Sequence, residues 1–254
     1  MEEINEALMK YCLTTQTNTI FNSLKVGGSI KKVFNSDDQL KRHIWFLSET
    51  PANHLLVAHL DTVTALDTQL YMHTANDMIF NKGLDDRLGL YTCLYLQDKY
   101  GCFDILLTDN EEMGRSTAGS FNCPDYRCIY EFDRGELDQF VMYNPCKSLS
   151  GAITKQTDFE EKRGSYSDIA DIDTDTASVN WCVAYRDYHS DKSHVFISEY
   201  MFCISTFEDF FEKTKYITYT KDPAVSTNWY QYKRRGKNSS KRVKKGSGIK
   251  PVPV

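Results

Sequence analysis

The chain has no apolar stretch approaching the roughly 18 consecutive residues that a membrane helix needs, so no membrane span is expected among its 254 residues. Its opening residues, Met-Glu-Glu-Ile-Asn-Glu-Ala, lack the basic-then-apolar pattern of a secretory leader. A cytoplasmic location is the expectation that follows. Paired cysteine spacings are missing as well. The eight cysteines (Cys12, Cys93, Cys102, Cys123, Cys128, Cys146, Cys182, Cys203) are scattered through apolar segments, without the intervals of a zinc ribbon or redox motif, and read as reduced, mostly buried thiols. Acidic residues are absent from 233–254, which hold nine of the thirty Lys and Arg; the first 232 residues therefore carry 21 basic against 35 acidic side chains, a net charge of −14. An acidic body argues against a nucleic-acid groove, and the basic segment, with no apolar periodicity, reads as a disordered tail. No repeat of solenoid or propeller period is present.

What is there is an alternation of strand and helix patterns. Ile4, Leu8 and Tyr11 predict a helix over residues 2–11, and residues 19–47 are expected to contain hairpin strands around Gly27-Gly28. Four core strands follow: Leu55-Leu56-Val57-Ala58, Ile105-Leu106-Leu107, residues 128–132 and residues 179–185, each rich in β-branched, aromatic or aliphatic residues. Leu88, Tyr91, Leu94 and Tyr95 predict a helix over 86–100, capped by Asp85 or Asp86. Further helices are expected from Met113 and over 198–213, the last with an aromatic stripe (Phe202, Phe207, Phe210, Phe211) that reads as core packing. The fold class is therefore α/β, a mostly parallel central sheet with helices on both faces. The catalytic domain is placed at 1–215, a linker at 216–232 and the tail at 233–254.

In such a sheet, ligands bind at the carboxyl ends of the strands. Immediately beyond the four strands come His59 and Asp61, then Glu111 and Glu112, then Asp133, then Asp187 and His189; Asp85-Asp86 opens the intervening helix. Each alone has an ordinary structural explanation: a satisfied core histidine, a helix cap, a solvated first turn, a turn aspartate or a loop histidine. Together they place two imidazoles and several carboxylates in one crevice, a cluster that repels itself unless divalent metal offsets the charge. Mixed nitrogen and oxygen donors suit Zn2+ first, then Co2+ or Mn2+. Five ligands plus Asp61 to orient His59 exceed what one tetrahedral ion takes, so two ions sharing a carboxylate fit better.

These residues resemble the co-catalytic zinc exopeptidases, which include bacterial leucyl aminopeptidase, glutamate carboxypeptidase and acetylornithine deacetylase relatives. The resemblance covers roughly residues 50–200 and rests on Val-Ala-His59-Leu-Asp61, Gly83-Leu-Asp85-Asp86-Arg87-Leu-Gly89, Leu107-Thr-Asp-Asn-Glu111-Glu112-Met-Gly114, Tyr130-Glu-Phe-Asp133 and Ala184-Tyr-Arg-Asp-Tyr-His189, with Tyr166-Ser167-Asp168 matching a common accessory segment. It implies the zinc-exopeptidase (phosphorylase/hydrolase-like) architecture. It further implies one ion held by His59, Asp85 and Asp133, a second held by Asp85, Glu112 and His189, Glu111 as base, and Asp61 orienting His59. His189 is preferred over His194 as the last ligand. Only 55 residues separate Asp133 from His189. That spacing leaves no room for an inserted lid or dimerisation domain, and the compact aminopeptidase-type branch is favoured. The expected activity is two-metal exopeptidase hydrolysis of a peptide or related amide. One alternative is an amidase or deacylase for N-acylated amino acids, with Arg134, Arg163 or Arg186 clamping the carboxylate; another is a catalytically silent binding module.

Overall fold

The computed structural model describes residues 4–24, 30–34, 41–66, 71–73 and 76–223. One compact unit runs from Met1 to Asp222. The expected tail and the Gly27-Gly28 turn lie outside the described residues. Packing extends past 215: the Tyr219 ring is buried, and its N–H donates to Arg127 O at 2.8 Å.

The N-terminal helix is α1 (Glu6–Thr14), begun by Asn5, whose Oδ1 accepts the Leu8 N–H at 3.0 Å. It is followed by a short α2 (Thr17–Ser23). Strands β1 (Ile30–Phe34) and β2 (His43–Leu47) form an antiparallel pair at one side of the main sheet. The core strands are β3 (His54–His59), β6 (Phe103–Thr108), β7 (Cys128–Arg134) and β10 (Ser178–Cys182), with β8 (Gln139–Asn144) and the two-residue β9 (Glu160–Glu161) beyond. Their order is β1-β2-β6-β3-β7-β10-β8-β9, and the four central strands are mutually parallel. A small antiparallel sheet, β11-β5-β4, joins His194–Phe196, Met78–Phe80 and Tyr71–His73.

The apolar runs in β3 and β6 are buried along their whole length because both faces of the sheet are covered. On one face α1, α3 (Leu84–Tyr100), α4 (Lys147–Thr157) and α5 (Ile197–Thr214) pack over Leu56, Ile105, Tyr130 and Trp181. The aromatic stripe of α5 is core as expected, Phe207 lying edge-on to Tyr130 and Trp181. On the other face the helical cover is short: the 3₁₀ turns Thr117–Ser120 and Asp168–Ala170 set Ala118 and Ile169 on Leu55, Val57, Leu106 and Ile129.

Three local expectations change. No α-helix starts at Met113. Residues 111–114 form a turn closed by Gly114 N–H donating to Glu111 O at 2.7 Å, with Asn110 and Gly114 in the left-handed region, a conformation no α-helix contains. Helix α3 is capped by Gly83, not by Asp85 or Asp86, so Asp85 sits inside its first turn. The strand expected over 179–185 ends at Cys182, where Val183 leads into a loop with Ala184, Asp187 and His189 at positive φ.

Candidate active site

The carboxyl ends of β3, β6 and β7, the first turn of α3 and the loop after β10 meet at one crevice. His59 ends β3 and is 1% exposed. Its Nδ1 lies 3.5 Å from Asp61 Oδ1 and its Nε2 3.6 Å from Asp133 Oδ1. Asp133 comes from β7, and its N–H donates to Asn180 Oδ1 at 3.0 Å, locking it to the neighbouring β10. Asp85 is brought over the strands by α3, which can come close because residue 89 is glycine: a Cβ there would lie 2.6 Å from Phe132 O. Arg87, fully buried two residues before Gly89, donates to Leu60 O at 2.6 Å and to Thr17 Oγ1 at 3.0 Å, tying the segment after β3 to the N-terminal helices.

On the far side of Asp85, its Oδ2 lies 3.0 Å from His189 Nε2, which is also 2.7 Å from Glu112 Oε1. His59, Asp85 and Asp133 each offer one ligand-type atom within 4.8 Å of the others, and so do Asp85, Glu112 and His189. Asp85 belongs to both sets. His194 belongs to neither; it sits in β11, donating from Nδ1 to Lys192 O at 2.8 Å. Asp187 is exposed and outside both sets, and the Asp86 side chain lies outside the described residues.

Asp61 does two things. One oxygen faces His59, and its two oxygens accept the backbone N–H groups of Glu111 and Glu112, both at 3.1 Å. Burial opposes its ionisation, but His59 and those two N–H donors hold it below the usual carboxylate range. Burial pushes Glu111 up to about 8, and the charges of Asp133, Asp168 and Glu112 reinforce it. Glu112 is also raised, by burial and by Asp85. His189 is raised to about 9, chiefly by its hydrogen bond to Asp85. Five carboxylates (Asp61, Asp85, Glu111, Glu112, Asp133) thus share a crevice with two imidazoles, and Asp133 Oδ1 is buried with no hydrogen-bond donor. An excess of oxygen donors around an unmet buried carboxylate oxygen is the environment a divalent cation fits.

Sequence reasoning assigned no role to Glu131 and Asp168. Both are fully buried beside the crevice, Glu131 accepting from Ser167 Oγ. Glu131 was findable by strand alternation, since it lies two residues before Asp133 and shares its side of β7. Asp168 lies in a segment without periodicity; the sequence picked it out only within Tyr166-Ser167-Asp168, without a role, and the role comes from its spatial partners.

The chain shares its fold with solved peptidases. Among solved structures it is similar to the TET1 peptidase of Pyrococcus horikoshii, which can assemble into a tetrahedron or a large octahedral shell (TM-score 0.58, 10% identity, 80% of this chain and 98% of that one). Aminopeptidase PepT from Bacillus cereus (TM-score 0.55, 10% identity, 82% and 97% covered) and a tripeptidase from Staphylococcus aureus (TM-score 0.55, 13% identity, 82% and 98% covered) share it too. No sequence-family profile and no curated protein matches the chain. Among the described residues no helix is long and apolar enough to cross a membrane.

Proposed function

We propose that the chain is a metal-dependent exopeptidase of aminopeptidase type. The observation that carries this reading is the pair of ligand sets sharing Asp85, with Glu111 standing beside them and belonging to neither. His59, Asp85 and Asp133 would hold one divalent ion, Zn2+ by donor type, and Asp85, Glu112 and His189 a second. Bound there, such ions polarise a substrate carbonyl and acidify water. Glu111 takes the proton from the attacking water and delivers it to the leaving amine; a carboxyl kept in a buried, acidic setting is suited to both transfers. Asp61 keeps the His59 ring in place and presents the two glutamates on one turn.

The arginines that would clamp the carboxylate of an N-acylated amino acid are disposed otherwise. Arg134 Nη2 donates to Gln139 Oε1 at 3.0 Å, Arg186 pairs with Glu199, and Arg163 is exposed. That favours peptides with a free amino terminus over N-acyl substrates. A panel of aminoacyl anilides, short peptides and N-acetyl amino acids, assayed with added Zn2+, Co2+ or Mn2+, tests the reading: metal-dependent release of the amino-terminal residue is expected, and turnover of the N-acetyl compounds alone would overturn the aminopeptidase assignment.

A further inference from the structure

The turn that presents Glu111 and Glu112 is part of a loop, residues 109–117, whose two ends meet: Thr117 N–H donates to Asp109 O and Asp109 N–H to Thr117 Oγ1, both at 2.9 Å. Asp61 fastens its middle through the Glu111 and Glu112 N–H groups. A second carboxylate reaches it from the opposite direction. Asp168, fully buried, accepts from Thr108 Oγ1 at 2.8 Å with one oxygen and from Ser116 Oγ with the other. Thr108 is the last residue of β6 and Ser116 the residue that caps the 3₁₀ turn Thr117–Ser120, so one side chain grips both stems of the loop. Asp168 is itself pinned, because the neighbouring Ile169 is buried in the cluster on that face of the sheet. Two residues away, Tyr166 Oη accepts the Ser116 N–H at 2.7 Å and donates to Asp171.

We infer that Asp168 is a positioning residue that fixes the Glu111–Glu112 turn over the crevice by bridging Thr108 and Ser116. It is too deeply buried to meet substrate, and it acts through the loop. Without it the stems lose their common side-chain acceptor, and the loop is left to the Asp61 contacts, the Asp109–Thr117 pair and the Tyr166 contact to Ser116. Misplacement of a reacting group by about 1 Å can cost on the order of 10²-fold in rate. The kinetic half of this inference rests on the exopeptidase reading; the structural half does not.

Hydrogen exchange followed by mass spectrometry on the purified protein, with peptide kinetics alongside, separates the two. Asp168→Ala should speed exchange of the amides in residues 109–117 by about tenfold or more while β3, β7 and α3 keep wild-type protection. It should lower kcat by roughly 10–100-fold with KM little changed. Asp168→Asn should restore most of both, since it keeps the shape and one acceptor, and a Ser or Thr hydroxyl can reverse to accept from the new amide. If Asp168→Ala does not fold, Thr108→Val removes one donor at nearly constant shape and should give the same localised exchange at smaller amplitude. Unchanged exchange in 109–117, or faster exchange spread evenly over the sheet, would overturn the inference, as would wild-type kcat in a variant whose loop is loosened. Localised loosening in a protein that cleaves no peptide at all would leave the brace standing and remove the exopeptidase reading instead.

Discussion

His54 and His59 begin and end the same strand, are 3% and 1% exposed, and have opposite surroundings. His54 lies in an aromatic nest, with ring centroids 5.1 Å from Phe211 and 5.8 Å from Tyr130, and spends Nε2–H on Lys215 O at 2.9 Å. Burial lowers its pKa to about 4, so it is a neutral core group. His59, five positions on, faces the opposite side of the strand and sits between Asp61 and Asp133. Burial is therefore common to the structural and the chemical histidine. What distinguishes them is the company each keeps: carbonyl and rings at the amino end of the sheet, carboxylates at the carboxyl end.

That contrast predicts a separation of effects. The largest belongs to the carboxyl end, where Glu111→Gln should cut turnover by about 10²–10⁴-fold while metal content and thermal stability stay near wild type, measured by steady-state kinetics beside elemental analysis. Loss of metal together with activity would assign Glu111 to binding. The next belongs to the amino end and concerns stability alone. Because the folded pKa of His54 is about 4 and an unfolded histidine titrates near 6.5, the unfolded chain binds the extra proton first. Its contribution is thus fully present above about pH 6.5 and disappears as pH falls towards 4, a swing of about 3 kcal/mol. Denaturant unfolding across that window should show a steeper pH slope for wild type than for His54→Phe, with turnover at pH 7.5 alike in the two; equal slopes would mean that His54 is not held neutral.

Gly89→Ala should strike both ends at once. Its methyl would meet Phe132 O, pushing α3 off β7 and Asp85 away from Asp133, and overpacking of this kind costs about 1–3 kcal/mol. A lower melting temperature with weaker zinc binding is expected, and wild-type values of both would show that the helix has room to move. The smallest effect is at the tail. Removing residues 233–254, which lack any apolar pattern, should leave kcat/KM on a small anilide and the melting temperature unchanged within error. A large loss would show that the basic segment takes part in the crevice.

The core was legible because apolar runs such as Leu55-Leu56-Val57-Ala58 end abruptly in His59, and a parallel sheet turns such endings into one edge. The same logic led to Glu111, Glu112 and Asp133. Short or weakly patterned elements were not legible: α2, the two-residue β9 and the three-residue strands of the small sheet take their conformation from what they pair with. The helix expected at Met113 failed for a related reason. Its residues include Gly114, Ser116, Thr117 and Gly119, weak helix formers, and Asp61, fifty positions earlier, holds the Glu111 and Glu112 N–H groups in a turn with Asn110 and Gly114 left-handed. Asp168 was visible only as part of the Tyr166-Ser167-Asp168 resemblance, and its role was opaque because its partners Thr108 and Ser116 are 60 and 52 residues away.

The central claim is that Asp85 serves two ligand sets at once, and equilibrium metal titration of wild type and Asp85→Asn, read by calorimetry and native mass spectrometry, tests it most directly. Two Zn2+ ions should bind the wild-type chain, and Asp85→Asn should weaken both, because each set loses the same carboxylate. A wild-type chain that binds no divalent ion below millimolar concentration, or an Asp85→Asn variant that keeps one ion at full affinity, would contradict the account.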